Sequence, residues 1–386
     1  MLALPFKRQA PADRYTVWIL AVLAAVGVVA VYSAVSFLAQ TKGDGDAGRF
    51  LAKHVGRMAM AFGAMAMMSL VSYRTVARWS LPLLLGSWGL LVLVQLVGVV
   101  SGGAARWLRF GELGFQPSDI AKVALLAYLA VLIAKKQTYV KEFGRAFVPV
   151  FGYVLVTCAL IGMQNLSTAA LLLATCMVVC FVGRVSTWHL GGFVGVGLAL
   201  ATLMLALSPA RAARVENYVG MELFGHTQAQ GVGDDRAENY QAHQAEIAFA
   251  MGGAFGVGPG KSVQRDFLPA PYNDFIFAII GEEYGLMGTL GLLALFCALL
   301  FRGFLRIARY APDPLGLFMA VGLTTSIVIY GFVHAGVTCG LLPVTGLPMP
   351  FVSYGGSSLI VTGAMAGILL NISREAAPAA KTEEAA

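Results

Sequence analysis

Only 12% of the residues are charged, so the few ionisable side chains that interrupt the apolar stretches are where chemistry is to be sought. Asp274 follows FLPAPYN (267–273), in which Pro269 and Pro271 stiffen the approach. It reads either as the cap of a following helix, a role Asn273 could share, or as a rigidly held carboxylate able to take a proton from a hydroxyl. Glu282 and Glu283 lie further along the same apolar run, about 12 Å below its start and about 100° apart around a helix. They cannot both face one cavity unless the helix is enclosed, so one of them is expected to be a structural hydrogen-bond acceptor. Asp119 and Lys122 are three residues apart and can form an internal ion pair or act on a substrate. In GGAARWLRFGELGFQPSD (102–119), Arg106, Trp107 and Arg109 stand beside glycines. They are either interfacial anchors or planar guanidinium groups suited to a phosphate-bearing lipid.

Other motifs carry weaker chemistry. GVGPGKS (256–262) has the flavour of a phosphate-binding loop, but the pattern needs glycine where Phe255 stands and a strand before it. Its glycines instead predict tight packing or a re-entrant turn. GLLPVTGLPMPFVSYGGSS (340–358) is rigid and irregular, a segment whose backbone can line a cavity. His334 reads as a satisfied core histidine, and His54, His189, His226 and His243 show no metal spacing. Arg57 can snorkel and needs no special role. The five cysteines are odd in number and sit in or beside apolar runs, which argues for buried thiols and against a disulfide framework.

The elements that must position these residues follow from composition. The chain has 386 residues, 58% of them hydrophobic, and a mean hydropathy of +0.75. That cannot clothe a water-facing surface and predicts a membrane protein. Ten apolar runs are long enough to cross a bilayer: 15–39, 54–73, 80–100, 118–134, 147–163, 168–187, 189–208, 274–300, 314–337 and 356–372. The expected fold is therefore an all-α polytopic membrane protein with about ten transmembrane helices. Placing both termini in the cytoplasm puts fifteen Lys and Arg inside and ten outside. The net charge of +7 then needs no nucleic-acid partner. The opening stretch shows no cleavage pattern and is expected to be a retained first helix. One long extracytoplasmic loop (209–273) joins the seventh and eighth helices, and residues 373–386 form a cytoplasmic tail.

Four stretches, in order, carry a resemblance: GAARWLRFGELGFQPSDIAK, MQNLSTA, GGAFGVGPGKSVQRDFLPAPYNDFIFAIIGEEYG and GLLPVTGLPMPFVSYGGSS. Together they resemble the SEDS family (shape, elongation, division and sporulation proteins), bacterial cell-wall polymerases that include RodA and FtsW. The likeness covers nearly the whole chain as a single integral membrane domain (1–386), and GKSVQ is closer to FtsW. It implies a peptidoglycan glycosyltransferase in the bacterial inner membrane that polymerises lipid II on the outer face. It also implies a class B penicillin-binding protein as partner. The family's loop aspartate falls on Asp274, its tryptophan on Trp107, and its basic positions on Arg106, Arg109 and Lys122. The chain departs from the family pattern at Asp119, where glutamate is usual, and at Asn165, where an aspartate is usual. Ala270, Tyr272 and Asn273 replace glutamate, histidine and threonine, which leaves Asp274 as the one acid of that motif.

The mechanism this implies is removal of the acceptor sugar's hydroxyl proton by Asp274 as that oxygen attacks the donor's anomeric carbon. Arg106, Arg109, Lys122, Lys261 and Arg265 are the candidates to meet the departing pyrophosphate, with no cofactor required unless a divalent cation, Mg²⁺ or Mn²⁺, assists. Asp119, Glu282, Glu283, Ser353, Gly355 and Gly356 are expected to support the site. The alternatives are a lipid II flippase and a scaffold that only positions its transpeptidase. Against the flippase, the sequence shows no internal repeat.

Overall fold

In the computed structural model, which describes residues 11–41, 47–101, 104–110, 113–219, 232–268 and 270–376, every expected apolar run is a helix. Twelve helices are described: α1 (Arg14–Thr41), α2 (Ala47–Leu70), α3 (Tyr73–Val97), α4 (Pro117–Lys135), α5 (Val148–Gln164), α6 (Leu166–Val182), α7 (Thr187–Ala206), α8 (Pro209–Val219), α9 (Val232–Gly252), α10 (Ile276–Phe301), α11 (Pro314–Thr338) and α12 (Ser357–Glu375). By length and composition, eight of them can cross a membrane. The other two expected spans are α2, whose first turns carry Arg49, Lys53 and Arg57, and α6, which is short at 17 residues.

Outside the described residues lie 220–231 and Pro269 of the expected outer loop, and residues 102, 103, 111 and 112 of the arginine–tryptophan cluster. Most of the expected tail (377–386) lies there too, as do Lys7, Arg8, Lys42 and Lys381 from the charge tally.

Short polar residues mark the helix ends. Asn165 ends α5 and caps α6 by accepting from the Thr168 amide at 3.1 Å. That task needs a neutral acceptor only, so the asparagine at this position loses nothing structural. Asp313 caps α11 through the Gly316 amide at 2.8 Å. Burial sorts the helices: 78% of the apolar window of α11 is enclosed, against 11% of that of α7. α11 is therefore the centre of the bundle and α7 its edge. α12 lies close on α2 because Gly363 and Gly367 are one turn apart. A Cβ added to either would stand 2.2 Å from the Ala61 carbonyl oxygen and 2.4 Å from that of Met65.

A polar network gathers the chain ends at one end of the bundle. The Asp13 amide donates to Ser373 (3.1 Å), and Arg302 pairs with Asp13. Arg74 bridges Asp313 (2.9 Å) and Glu375 (2.5 Å). The start of α1 and the end of α12 therefore share a face, as an even number of crossings requires.

Two features add to the expected fold. The fold is not purely helical: β1 (Val99–Ser101), β2 (Ala104–Phe110) and β3 (Leu113–Phe115) form an antiparallel sheet in the order β1-β2-β3 between α3 and α4. Short β-prone runs separated by glycine-containing pairs are a hairpin signal, which attention to the charges of 102–119 passed over. Secondly, the expected loop 209–273 is largely helical, with α8 and α9 inside it.

Candidate active site

The site is built on a broken helix. Gly285 lies within α10 at φ 64°, ψ −162°, and interrupts its ladder. The turn that follows α9 supplies the missing partners. The Leu286 and Met287 amides donate to the carbonyls of Gly253 (2.9 Å) and Ala254 (3.1 Å), while the carbonyls of Glu282 and Glu283 accept from Val257 (2.9 Å) and Gly258 (3.0 Å). Backbones approach so closely that a Cβ on Gly256 (φ +82°) would fall 2.1 Å from the Glu283 carbonyl oxygen. The glycine-rich stretch is thus a tight turn clasped to a helix, with its polar groups satisfied by protein.

Both glutamates serve this clasp. The Glu282 carboxylate accepts from the Ser262 hydroxyl (2.5 Å), the Val263 amide (2.8 Å) and the Gln264 amide (3.1 Å). Glu283 accepts from the Ser33 hydroxyl of α1 and the Ser262 amide. Irregular backbone on one side and α1 on the other enclose α10, so side chains 100° apart both find donors. Arg265, expected to meet substrate, donates instead to the carbonyls of Gly260 (3.0 Å) and Ser33 (3.2 Å) and lies 3.5 Å from Asp266. Lys261 is exposed, beside the Gly258 turn. The contacts described for these two residues belong to the clasp.

From the clasp the chain reaches the Asp274 turn. The helix that follows begins at Ile276 with Phe275 as its N-cap, and no side chain caps it. The cap reading of Asn273 or Asp274 is therefore corrected. Phe275 anchors the helix start by burial against Ala245, Ala248, Leu268 and Ile279. Asp274 is half-buried, and its Oδ2 lies 3.7 Å from where a Cβ on Gly346 would stand.

Gly346 belongs to the second irregular segment, 339–356, which is pinned from several sides. His334 Nδ1 bonds the Leu347 carbonyl (2.8 Å), as a core histidine should. Ser353 closes a turn by accepting from the Met349 amide (2.8 Å). The Tyr354 amide donates to the Tyr272 carbonyl (2.9 Å), and the two rings meet edge to face at 5.4 Å. This ties the proline-rich segment to the turn that carries Asp274. Burial, then Tyr354 and Asp274, raises the Tyr272 hydroxyl above its ordinary pKa, so the phenol stays a neutral donor at neutral pH. Tyr354 is stacked by His54 at 5.5 Å, and the Arg57 guanidinium lies 4.7 Å from the centre of its ring. Trp107 closes the far edge: its ring lies 3.7 Å from where a Cβ on Gly356 would stand.

The structure therefore joins Asp274, Trp107, Ser353, Gly355 and Gly356 in one linked neighbourhood. Arg106 and Arg109 share β2 with Trp107, and their side chains lie outside what is described. Asp119 and Lys122 are an internal pair at 3.5 Å, almost fully enclosed, with Lys122 Nζ 4.6 Å from the Tyr330 ring centre. Sequence reasoning missed His54, Arg57 and Tyr354. The signal it passed over was a histidine and an arginine one turn apart on a single helix, opposite a tyrosine embedded in an otherwise glycine- and serine-rich motif. Among the described residues, no three His, Cys, Asp or Glu side chains converge as a metal cage. The cysteines are free thiols, with Cys176 and Cys180 buried.

Residues 14–377 match the family described as cell cycle protein, which groups FtsW, RodA and SpoVE. Stage V sporulation protein E of Bacillus subtilis is 37% identical over 380 residues, covering 95% of this chain and 98% of that protein. The probable peptidoglycan glycosyltransferase FtsW of Geobacter metallireducens is 36% identical over 368 residues, covering 94% and 95%. Among solved structures, a chain from work on the structural coordination of polymerization and crosslinking by a peptidoglycan synthase complex superimposes with a TM-score of 0.74. Its identity is 26%, over 94% of this chain and 98% of that one. The rod shape determining protein RodA of Thermus thermophilus gives a TM-score of 0.69 at 27% identity, over 95% and 98%. With the motifs in order along the chain, the bundle of apolar helices and these likenesses, the chain belongs to the FtsW, RodA and SpoVE family of cell cycle proteins.

Proposed function

We propose that the chain is a peptidoglycan glycosyltransferase of the bacterial inner membrane that polymerises lipid II on the extracytoplasmic face, with Asp274 as general base. The observation that carries this is the placement of Asp274 on a braced turn, half-buried, beside Gly346, while the helix it precedes takes its cap from Phe275. Its carboxylate is thus not committed to capping and stands at the edge of a segment built from two irregular stretches.

The acceptor's sugar hydroxyl gives its proton to Asp274 as the oxygen bonds to the anomeric carbon of the donor chain. The anomeric carbon–oxygen bond to the lipid pyrophosphate breaks with its electron pair. That leaving group departs as an anion, so a second acid is not needed, unlike in glycoside hydrolysis. A placed base contributes roughly 10² to 10⁴ in rate, and single displacement inverts the anomeric carbon. Arg106 and Arg109 on the Trp107 strand are the expected cationic contacts. A class B penicillin-binding protein is the proposed partner, since a relative of this fold comes from a complex that couples polymerization to crosslinking. The FtsW-type relatives favour a role in division over elongation.

The test is glycan synthesis from lipid II by purified protein, wild type beside Asp274→Ala and Asp274→Asn, with partner binding and melting followed in parallel. Both variants should lose polymer while retaining fold and partner. Equal polymer from all three would refute the assignment, and transbilayer movement of lipid II without polymer would favour a flippase.

A further inference from the structure

We propose that Arg57 binds the pyrophosphate of the lipid-linked substrate, with the Tyr354 ring as its platform; this rests on the polymerase reading above. Arg57 is half-buried on α2, one turn from His54. Its guanidinium lies 4.7 Å from the Tyr354 ring centre, and Nη1 makes a long bond (3.4 Å) to the Gly355 carbonyl. A guanidinium has five N–H donors, and among the described residues no carboxylate pairs with this one. His54 does not neutralise it: its ring is fully enclosed, stacked on Tyr354, with neither nitrogen hydrogen-bonded.

The Arg57 cation sits over an aromatic face, where it is attracted by the ring, and most of its fork is left for an oxyanion. Through Tyr354 it is coupled to the Tyr272 backbone, two residues from Asp274. A cation at that position lies on the same rim as the proposed base. The charge that develops in the reaction is on the departing pyrophosphate, and a planar fork matches it in a way a lone ammonium does not. Lys261 and Arg265, the basic residues nearest Asp274 in sequence, are engaged with the clasp or exposed beside it. α2 then supplies positive charge at Tyr354, beside the contacts expected from Arg106 and Arg109 on β2.

The test is binding, read separately from turnover. Full-length Asp274→Asn protein in zwitterionic nanodiscs is titrated with lipid II, undecaprenyl pyrophosphate and uncharged undecaprenol, with Arg57 intact, Arg57→Ala or Arg57→Lys. Losing a charge-assisted contact of this kind should weaken lipid II and undecaprenyl pyrophosphate roughly tenfold to a hundredfold in Arg57→Ala. Undecaprenol binding should hold, and Arg57→Lys should recover part of the loss. Unchanged affinity for undecaprenyl pyrophosphate in Arg57→Ala would overturn the proposal. So would an equal loss for undecaprenol, which would mean a packing role, or equal competition by phosphatidylglycerol, which would mean an ordinary headgroup anchor. If Asp274→Asn polymerised normally, the assignment of the base would fail while this comparison stood.

Discussion

Replacing Glu282 by glutamine tests whether the clasp, and not the active turn alone, sets the geometry of the site. Glu282 is fully buried and accepts from a hydroxyl and two backbone amides. Glutamine has nearly the same shape but presents one oxygen and one NH₂ group where the carboxylate presents two oxygens. Whichever way the amide is turned, at least one of the Val263 and Gln264 amides then faces another donor. A buried N–H left unmade costs about 1–3 kcal/mol, and the surviving bonds lose their charge assistance, so the net loss should be about 2–4 kcal/mol. The melting temperature of purified protein in one detergent, at one scan rate, should fall by several degrees. Polymerisation should fall even well below the melting point, because the clasp leads directly into the Asp274 turn. Asp274→Asn should show the reverse pattern, lost polymer with unchanged melting. A Glu282→Gln protein that melts and polymerises as wild type would refute the reasoning, for it would mean that the three donors do not need a carboxylate.

Three further outcomes follow from the same geometry. Gly256→Ala should cost about 1–2 kcal/mol for a left-handed residue, and more because its Cβ meets the Glu283 backbone. Gly253→Ala, at φ +52° in open space, should cost the conformational part only, so thermal melts should rank the two. Asp119→Leu and Lys122→Met should each destabilise by about 3–5 kcal/mol through the charge left buried, and the double variant should recover most of that loss, as melting of all three will show. At the end that carries the termini, burial raises the Asp313 pKa, but bonds from the Gly316 amide, Tyr73 and Arg74 outweigh it and hold the carboxyl below its ordinary 3.8. A lowered folded pKa gives stability that is present above the unfolded value and lost as pH falls through the folded one. Asp313→Asn should therefore melt below wild type at pH 7, and the gap should narrow as pH is taken below about 4.

Much of the fold was legible because lipid imposes a simple rule: every span must be long, apolar and internally bonded. The ten apolar runs, each of them a helix in the structure, followed from it. The β1–β3 sheet was not legible by that rule, because short strands outside the membrane carry a weaker pattern than a twenty-residue apolar run. Nor was the role of Arg265, because identical residue types can bind a ligand or hold a turn, and only their partners distinguish the two. Arg57 was dismissed for the same reason: on α2 alone it is a snorkelling arginine, and only the return of residues 354 and 355 against it gives it an aromatic platform.

The sequence by itself determined that this chain lives in a membrane, which family it resembles, and that Asp274 is the carboxylate to test. Those properties depend on composition and local order, which a linear string carries. Tertiary structure alone decided that Asp274 precedes the helix without capping it, that both glutamates brace a broken helix, and that Tyr272 and Tyr354 draw α2 to the same rim. Contacts between residues far apart in the chain are set by how the helices pack, and no local pattern encodes which surfaces meet.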